Sequence, residues 1–478
     1  MAQDVLTAEP LPYRGDGASL FGPVADRPWA MLLDSGAAPD TVRRGEGRYD
    51  ILVVDPRLTL VTQGPLTHLR SSDSVQVSPM DPFDLVRTAL GPRLALAPAD
   101  PADGSPDLPF PGGALGYFGY DLCRRIERLP AQGPDPLGMP EMAIGIYDHA
   151  LVVDQRERRA WLVGRRGASP EARALLRRLA LGTIPYTPGP FTVRGPLLSN
   201  MDAAAYAKGF AEVQAWIQAG DCYQINLARR LSVGAEGDPW TAYTQLRALS
   251  PAPFAAYLNL PFGRVLSSSP ERFLRLVAGH VETRPIKGTR PRGSDPAEDL
   301  RLAAELARSP KDRAENLMIV DLLRNDLGRN CVPGTIRVPS LFEVESYPCV
   351  HHLVSTITGQ LAPDKDALDL LRGCFPGGSI TGAPKIRAMQ IIDALEGESR
   401  GVYCGSIAHL GFDGGLDSNI IIRTLVQARG ELRFWAGGGI VADSECTAEW
   451  EEIRIKAAAM LALVERLAGS RGDRPGPR

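Results

Sequence analysis

Residues 407–441, IAHLGFDGGLDSNIIIRTLVQARGELRFWAGGGIV, decide the fold class. Three apolar runs, Ile407–Phe412, Asn419–Gln427 and Leu432–Ala436, are separated by Asp413-Gly414-Gly415 and by Arg429-Gly430. β-Rich runs punctuated by Gly-containing turns predict an antiparallel meander. Thr447–Leu467 follows with helical spacing and predicts a closing helix. Strands in succession, flanked by helices, point to an α+β protein rather than to alternating βαβ units.

The same reading extends upstream. Asp202–Gly220 (Tyr206, Phe210, Val213, Trp216, Ile217) predicts a helix stopped by glycine, Leu266–Leu276 a strand, and Lys311–Leu327 a helix ending at Gly328. Ala150–Val153 and Ala160–Val163 predict a hairpin across Gln155–Arg159. Ile51–Val54 and Thr59–Thr62 are short strands around Asp55-Pro56-Arg57, and Pro170–Leu181 is a helix. The Pro/Gly-rich stretch Gly182–Gly195 is the best candidate for a boundary, dividing the chain into 15–195 and 196–470.

With 53 basic and 56 acidic residues among 478, the formal net charge is −3, which argues against bulk binding to nucleic acid or an anionic membrane. No basic-then-apolar leader opens the chain, and no apolar run approaches the roughly 20 residues that span a bilayer. Seven cysteines form no CxxC pair, so neither a zinc site nor a disulfide framework is expected. The expectation is a reduced, cytoplasmic protein.

Three segments carry chemistry. Asp312 and Glu315 lie three apart on one helix, and Glu449, Glu452 and Lys456 form a stripe on the last. Paired carboxylates on facing helices suit Mg²⁺, which prefers a few carboxylates, waters and an anionic substrate; acidic residues in a first turn also simply offset the helix dipole. Arg284–Gly293 places four cations in ten residues. It reads as a rigid anion-binding loop or as a solvated one, and Lys287 within it becomes nucleophilic if desolvated. Phe375–Lys385 is glycine-rich but lacks the Lys-Ser/Thr step of a phosphate loop, so a nucleotide- or anion-binding module stands only as a weak rival. His351-His352 lack metal-ligand spacing.

Taken in order, Pro28–Leu33, Gly220–Leu227, Ser269-Pro270-Glu271-Arg272-Phe273, Pro285–Thr289, Val320–Asp326 and Gly377–Lys385 resemble the chorismate-utilising enzymes, over about Pro28 to Ala468. Within that family they are most similar to the aminodeoxychorismate branch. Water-using members carry a lysine base where this chain has Gln224, and anthranilate synthases usually carry alanine where it has Lys287. The distinction is physical: water needs a base to become a nucleophile, whereas ammonia does not.

The resemblance implies two antiparallel sheets packed face to face with helices outside. It also implies conversion of chorismate and ammonia to 4-amino-4-deoxychorismate, on the way to p-aminobenzoate and folate. Glu271 would be the general acid and Lys287 the nucleophile. Glu315 and Glu452 would hold Mg²⁺, with Asp312 and Glu449 behind them. Arg423, Tyr403, Thr289, His352, Thr381, Gly438 and Gly439 would line the pocket. Ammonia would come from a separate glutamine amidotransferase subunit, as no glutaminase or lyase segment is seen. A bound tryptophan near Leu32–Ser35 is in question because Asp34 departs from the expected residues. Anthranilate synthase component I is the alternative, and a water-using isochorismate-type enzyme is a more distant one.

Overall fold

The computed structural model describes residues 5–36, 46–97, 108–130, 135–347 and 350–469. Cys349 lies outside them; the six described cysteines are unpaired. Two antiparallel sheets, each of 12 strands among the described residues, stack with helices on their outer faces, as expected.

Alternation along the strands explains the stacking. Met31, Ile51, Val265 and Val426 of the first sheet point into one core with Leu60, Leu115, Ile144 and Leu274 of the second. Their neighbours Leu32, Leu52, Leu266 and Leu425 point the other way, onto a core built with Tyr206, Leu246, Ile453 and Met460 of the helices. Strands buried on both faces read as continuous apolar runs, and the two cores follow from the period-2 side-chain pattern.

The hairpin His149–Asp154/Arg159–Arg165, the helices Pro170–Ala180, Ala203–Gln218 and Pro310–Gly328, and the closing helix Cys446–Gly469 form as the sequence predicts. The strand predicted over Leu266–Leu276 is instead two. Gly263–Ser269 lies in the first sheet and Arg272–Val277 in the second, with Pro270-Glu271 crossing between them. Proline has no N–H to continue a ladder, and the chain changes sheets there.

The middle strand of the predicted meander breaks in the same way. Leu416–Asn419 belongs to the second sheet and Thr424–Ala428 to the first. These crossings run side by side: Ile420 N–H donates to Glu271 O at 3.0 Å, and Ser268 N–H donates to Arg423 O at 3.1 Å. The strands around Asp55 likewise separate, Tyr49–Val53 into the first sheet and Leu58–Gln63 into the second.

Residues on either side of position 195 share both sheets. Met31–Asp34 pairs with Phe254–Leu260 in one, and Gly113–Phe118 pairs with Ser406–Gly411 in the other. Through Gly182–Gly195 runs the start of the strand Phe191–Ser199, which pairs on one side only, with Gln224–Gly237.

Candidate active site

The paired crossings open a cavity lined by Glu271, Lys287, Thr289, Asp312, Glu315, His352, Tyr403, Arg423, Gly439 and Glu452, all residues singled out in the sequence. Three others do not line it. Thr381 is buried, and its hydroxyl donates to Gly377 O at 3.0 Å. Gly438 sits on the strand Glu431–Ile440 with Glu449 behind it; a Cβ there would come within 3.1 Å of Glu449 Oε2. Glu449 is itself only 1% exposed.

Arg284–Gly293 is not a free basic loop. Ile286–Pro291 is a strand paired with Val350–Gln360. Its arginines are engaged by carboxylates: Arg284 with Glu46 and Glu345, Arg290 with Glu305 and Asp312, and Arg292 with Asp299. Lys287, by contrast, turns into the cavity and forms no ion pair among the described residues. Burial lowers the pKa of its amine, while Glu315 acts in the opposite direction.

Gly288, at φ +85°, brings this strand close to the helix Pro310–Gly328, since a Cβ would meet Asp312 at 2.9 Å. Glu271 is 5% exposed, and burial raises its pKa despite a Ser379 hydrogen bond and the nearby Lys287. Burial thus moves the carboxyl and the neighbouring amine towards their neutral forms.

His352 stays neutral, its pKa pushed down to about 3 by burial and by Arg423. Its Nδ1 lies 2.9 Å from Thr289 Oγ1, which fixes that hydroxyl. His351 faces away, onto Asp299 and Ser346. Tyr403 stacks on Trp435 with ring centroids 5.7 Å apart. Sequence reading did not single out Trp435, Asn226, Ser379 or Lys311 as cavity residues. Asn226 lies within the Gly220–Leu227 motif and Ser379 within Gly377–Lys385, which were the available signals. Gln224 is buried, its amide has no partner among the described residues, and it packs against Gly439.

The four carboxylates offer the hard oxygen donors that Mg²⁺ takes, but lysines now stand among them. Lys311 Nζ is 2.8 Å from Glu449 and 3.8 Å from Glu315, and Lys456 Nζ is 2.7 Å from Glu452. Among the described residues no three acidic, histidine or cysteine side chains converge tightly enough to ligate an ion in this arrangement. The carboxylate oxygens are of the type a divalent cation takes, and here two ammonium groups stand among them. Lys385 of the glycine-rich segment is committed to Asp326 at 2.6 Å and Cys374 O at 2.8 Å, which removes the cation a phosphate loop would need.

A second, larger cavity lies between the sheets near Leu33, Asp34, Tyr49, Arg272 and His409 and contains none of these catalytic groups. Asp34 there accepts hydrogen bonds from Tyr243 and Arg247. No helix among the described residues is long and apolar enough to cross a membrane.

A buried carboxyl, a buried lysine, an arginine and further carboxylates thus line one cleft. A family described as chorismate binding enzyme matches residues 40–462, and the chain belongs to it. The chain is 50% identical over 456 residues to aminodeoxychorismate synthase component 1 of Klebsiella aerogenes, covering 95% of this chain and 98% of that protein. It is 44% identical over 406 residues to anthranilate synthase component 1 of Streptomyces coelicolor, covering 81% and 78%. The solved anthranilate synthase component I from Streptococcus pneumoniae TIGR4 superposes with a TM-score of 0.75 at 29% identity, covering 86% of this chain and 92% of that one.

Proposed function

We propose that this chain is the synthase subunit of an aminodeoxychorismate synthase, converting chorismate and ammonia to 4-amino-4-deoxychorismate. The observation that carries the reading is Lys287, whose buried amine shares one cavity with the acidic cluster and with Glu271, a carboxyl whose pKa burial raises.

Arg423 pairs with a substrate carboxylate through its planar fork, and Thr289, held by His352, offers a hydroxyl to the ring. Glu271 gives its proton to the C4 hydroxyl, which departs as water. The Lys287 amine bonds to C2 as both ring double bonds shift one bond along, towards C4, where the C–O bond breaks. Ammonia then bonds to C4, both double bonds return, the Lys287–C2 bond breaks with its electron pair going back to the amine, and the added nitrogen gives a proton back to Glu271. One hard displacement becomes two easier ones. Mg²⁺, held by Glu315 and Glu452 with Asp312 and Glu449 in support, would anchor the ring carboxylate and neutralise its charge.

Gln224 cannot make hydroxide from water, which fits ammonia as nucleophile. The numbered component name of the relatives supports a second subunit, a glutamine amidotransferase, as the ammonia source. The segment where relatives of the family hold tryptophan borders the cavity beside Asp34, and the Asp34 carboxylate, engaged by Tyr243 and Arg247, keeps tryptophan binding in question here. Cytoplasmic location is part of the same proposal.

The test is product identification after incubation with chorismate, ammonium and Mg²⁺. 4-Amino-4-deoxychorismate is expected. Anthranilate with released pyruvate would assign the chain to the other amine-forming branch, and turnover without ammonia to the water-using one.

A further inference from the structure

The acidic cluster is balanced by cations of the chain itself, and one of them is placed unlike the rest. Lys456 pairs with Glu452 four residues earlier on its own helix and also donates to Gly437 O at 3.2 Å. Arg290 reaches Asp312 from the neighbouring strand. Lys311 alone among the described residues touches one carboxylate of each helix: Glu449 of the closing helix at 2.8 Å and Glu315 of its own helix at 3.8 Å. That is the place of a cation shared between the two helices. Glu449, at 1% exposed, has among the described residues only Ser444 Oγ as a further side-chain donor, at 2.7 Å. Without Lys311 its charge would be buried and uncompensated, which is costly. The Lys311 side chain is 38% exposed, so its flexible arm has open solvent beside it.

We propose that Lys311 is an internal counter-cation: it bridges Glu449 and Glu315 in the metal-free protein and swings into solvent when a divalent cation takes its place. The inference rests on the assignment of Mg²⁺ to these carboxylates. Metal uptake is then an exchange of cations rather than the filling of an open cage. Bare protein binds the metal weakly, because the entering ion must displace a paired ammonium. A bound substrate carboxylate adds negative charge and tips the exchange towards the metal.

The experiment uses the full chain and Mn²⁺, followed by its electron paramagnetic resonance signal, without chorismate. Lys311→Ala is expected to bind Mn²⁺ about tenfold or more tightly than wild type, within the range usual for coupled sites. Lys311→Arg, which keeps a cation, is expected to stay near wild type. Lys311→Gln leaves a donor for Glu449 and serves if the alanine variant does not fold. In wild type, acetylation of Lys311 by acetic anhydride, read by mass spectrometry, is expected to speed up severalfold when Mn²⁺ is added.

Clear binding with equal or weaker affinity in the uncharged variants, or unchanged acetylation of Lys311 on metal binding, overturns the exchange while leaving the metal site standing. No Mn²⁺ binding by any of these proteins, even with chorismate present, overturns both.

Discussion

Lys287 and Glu271 occupy neighbouring positions in one cavity, yet burial moves them in opposite directions, the amine down and the carboxyl up. Each is thereby biased towards its neutral form, which is the form the reaction needs. Replacing Lys287 with Ala removes the nucleophile; formation of 4-amino-4-deoxychorismate should fall below detection or give way to anthranilate, as chromatography of the products will show. An unchanged product at an unchanged rate would refute the covalent step. Glu271→Gln should lower kcat by about 10²- to 10⁴-fold, the usual worth of a general acid. Glu271 works protonated, so the wild-type rate should decline as pH rises through its pKa, and that limb should be missing from the glutamine variant's residual rate.

At the scale of elements, the site depends on how closely a strand and a helix approach. Gly288 permits that approach, both by its φ of +85° and by having no Cβ to strike Asp312. Gly288→Ala should push Ile286–Pro291 off the helix Pro310–Gly328 and cost about 10²-fold in kcat/KM, the effect of a displacement near 1 Å. The backbone strain adds about 1–3 kcal/mol of lost stability, measurable by urea denaturation. Glu452→Gln should shift the Mg²⁺ titration of activity to higher concentration; a wild-type titration curve would remove Glu452 from the metal site.

Elements held by local signals were legible in the sequence, among them the hairpin across Gln155–Arg159 and the closing helix. The crossings were not. Ile420-Ile421-Ile422 looks like the middle of a strand because it is apolar, and periodicity along one segment cannot report which sheet a residue joins. The basic segment looked like a loop because the acids that absorb its arginines, Glu46, Glu345, Glu305 and Asp299, come from elsewhere in the chain. Lys287 and Glu271, the proposed nucleophile and acid, were legible only as members of motifs; their desolvation is a property of the folded cleft.

For the molecule as a whole, acid should weaken folding through buried histidines. The pKa of His352 is pushed down to about 3 and that of His409 to about 4, each first by burial. Unfolded, both take up a proton near pH 6.5. Their contribution to stability is therefore complete above pH 6.5 and is lost as pH falls towards 4, at about 1.4 kcal/mol per pH unit for each. His409→Gln should flatten that decline, as urea denaturation at pH 7 and pH 5 will show; an identical pH slope in variant and wild type would remove His409 from the account.

The side-by-side crossings at Pro270-Glu271 and Ile420–Arg423 tie Glu271 to the seam between the sheets, within the same cleft as Arg423. A sliding motion of one layer over the other would pull those groups out of step, so the cleft keeps its geometry only while the stacked layers stay locked. Polypeptides divided near residue 195 and expressed apart should accordingly each lack half of both layers, and turnover should reappear only when the two fragments fold together.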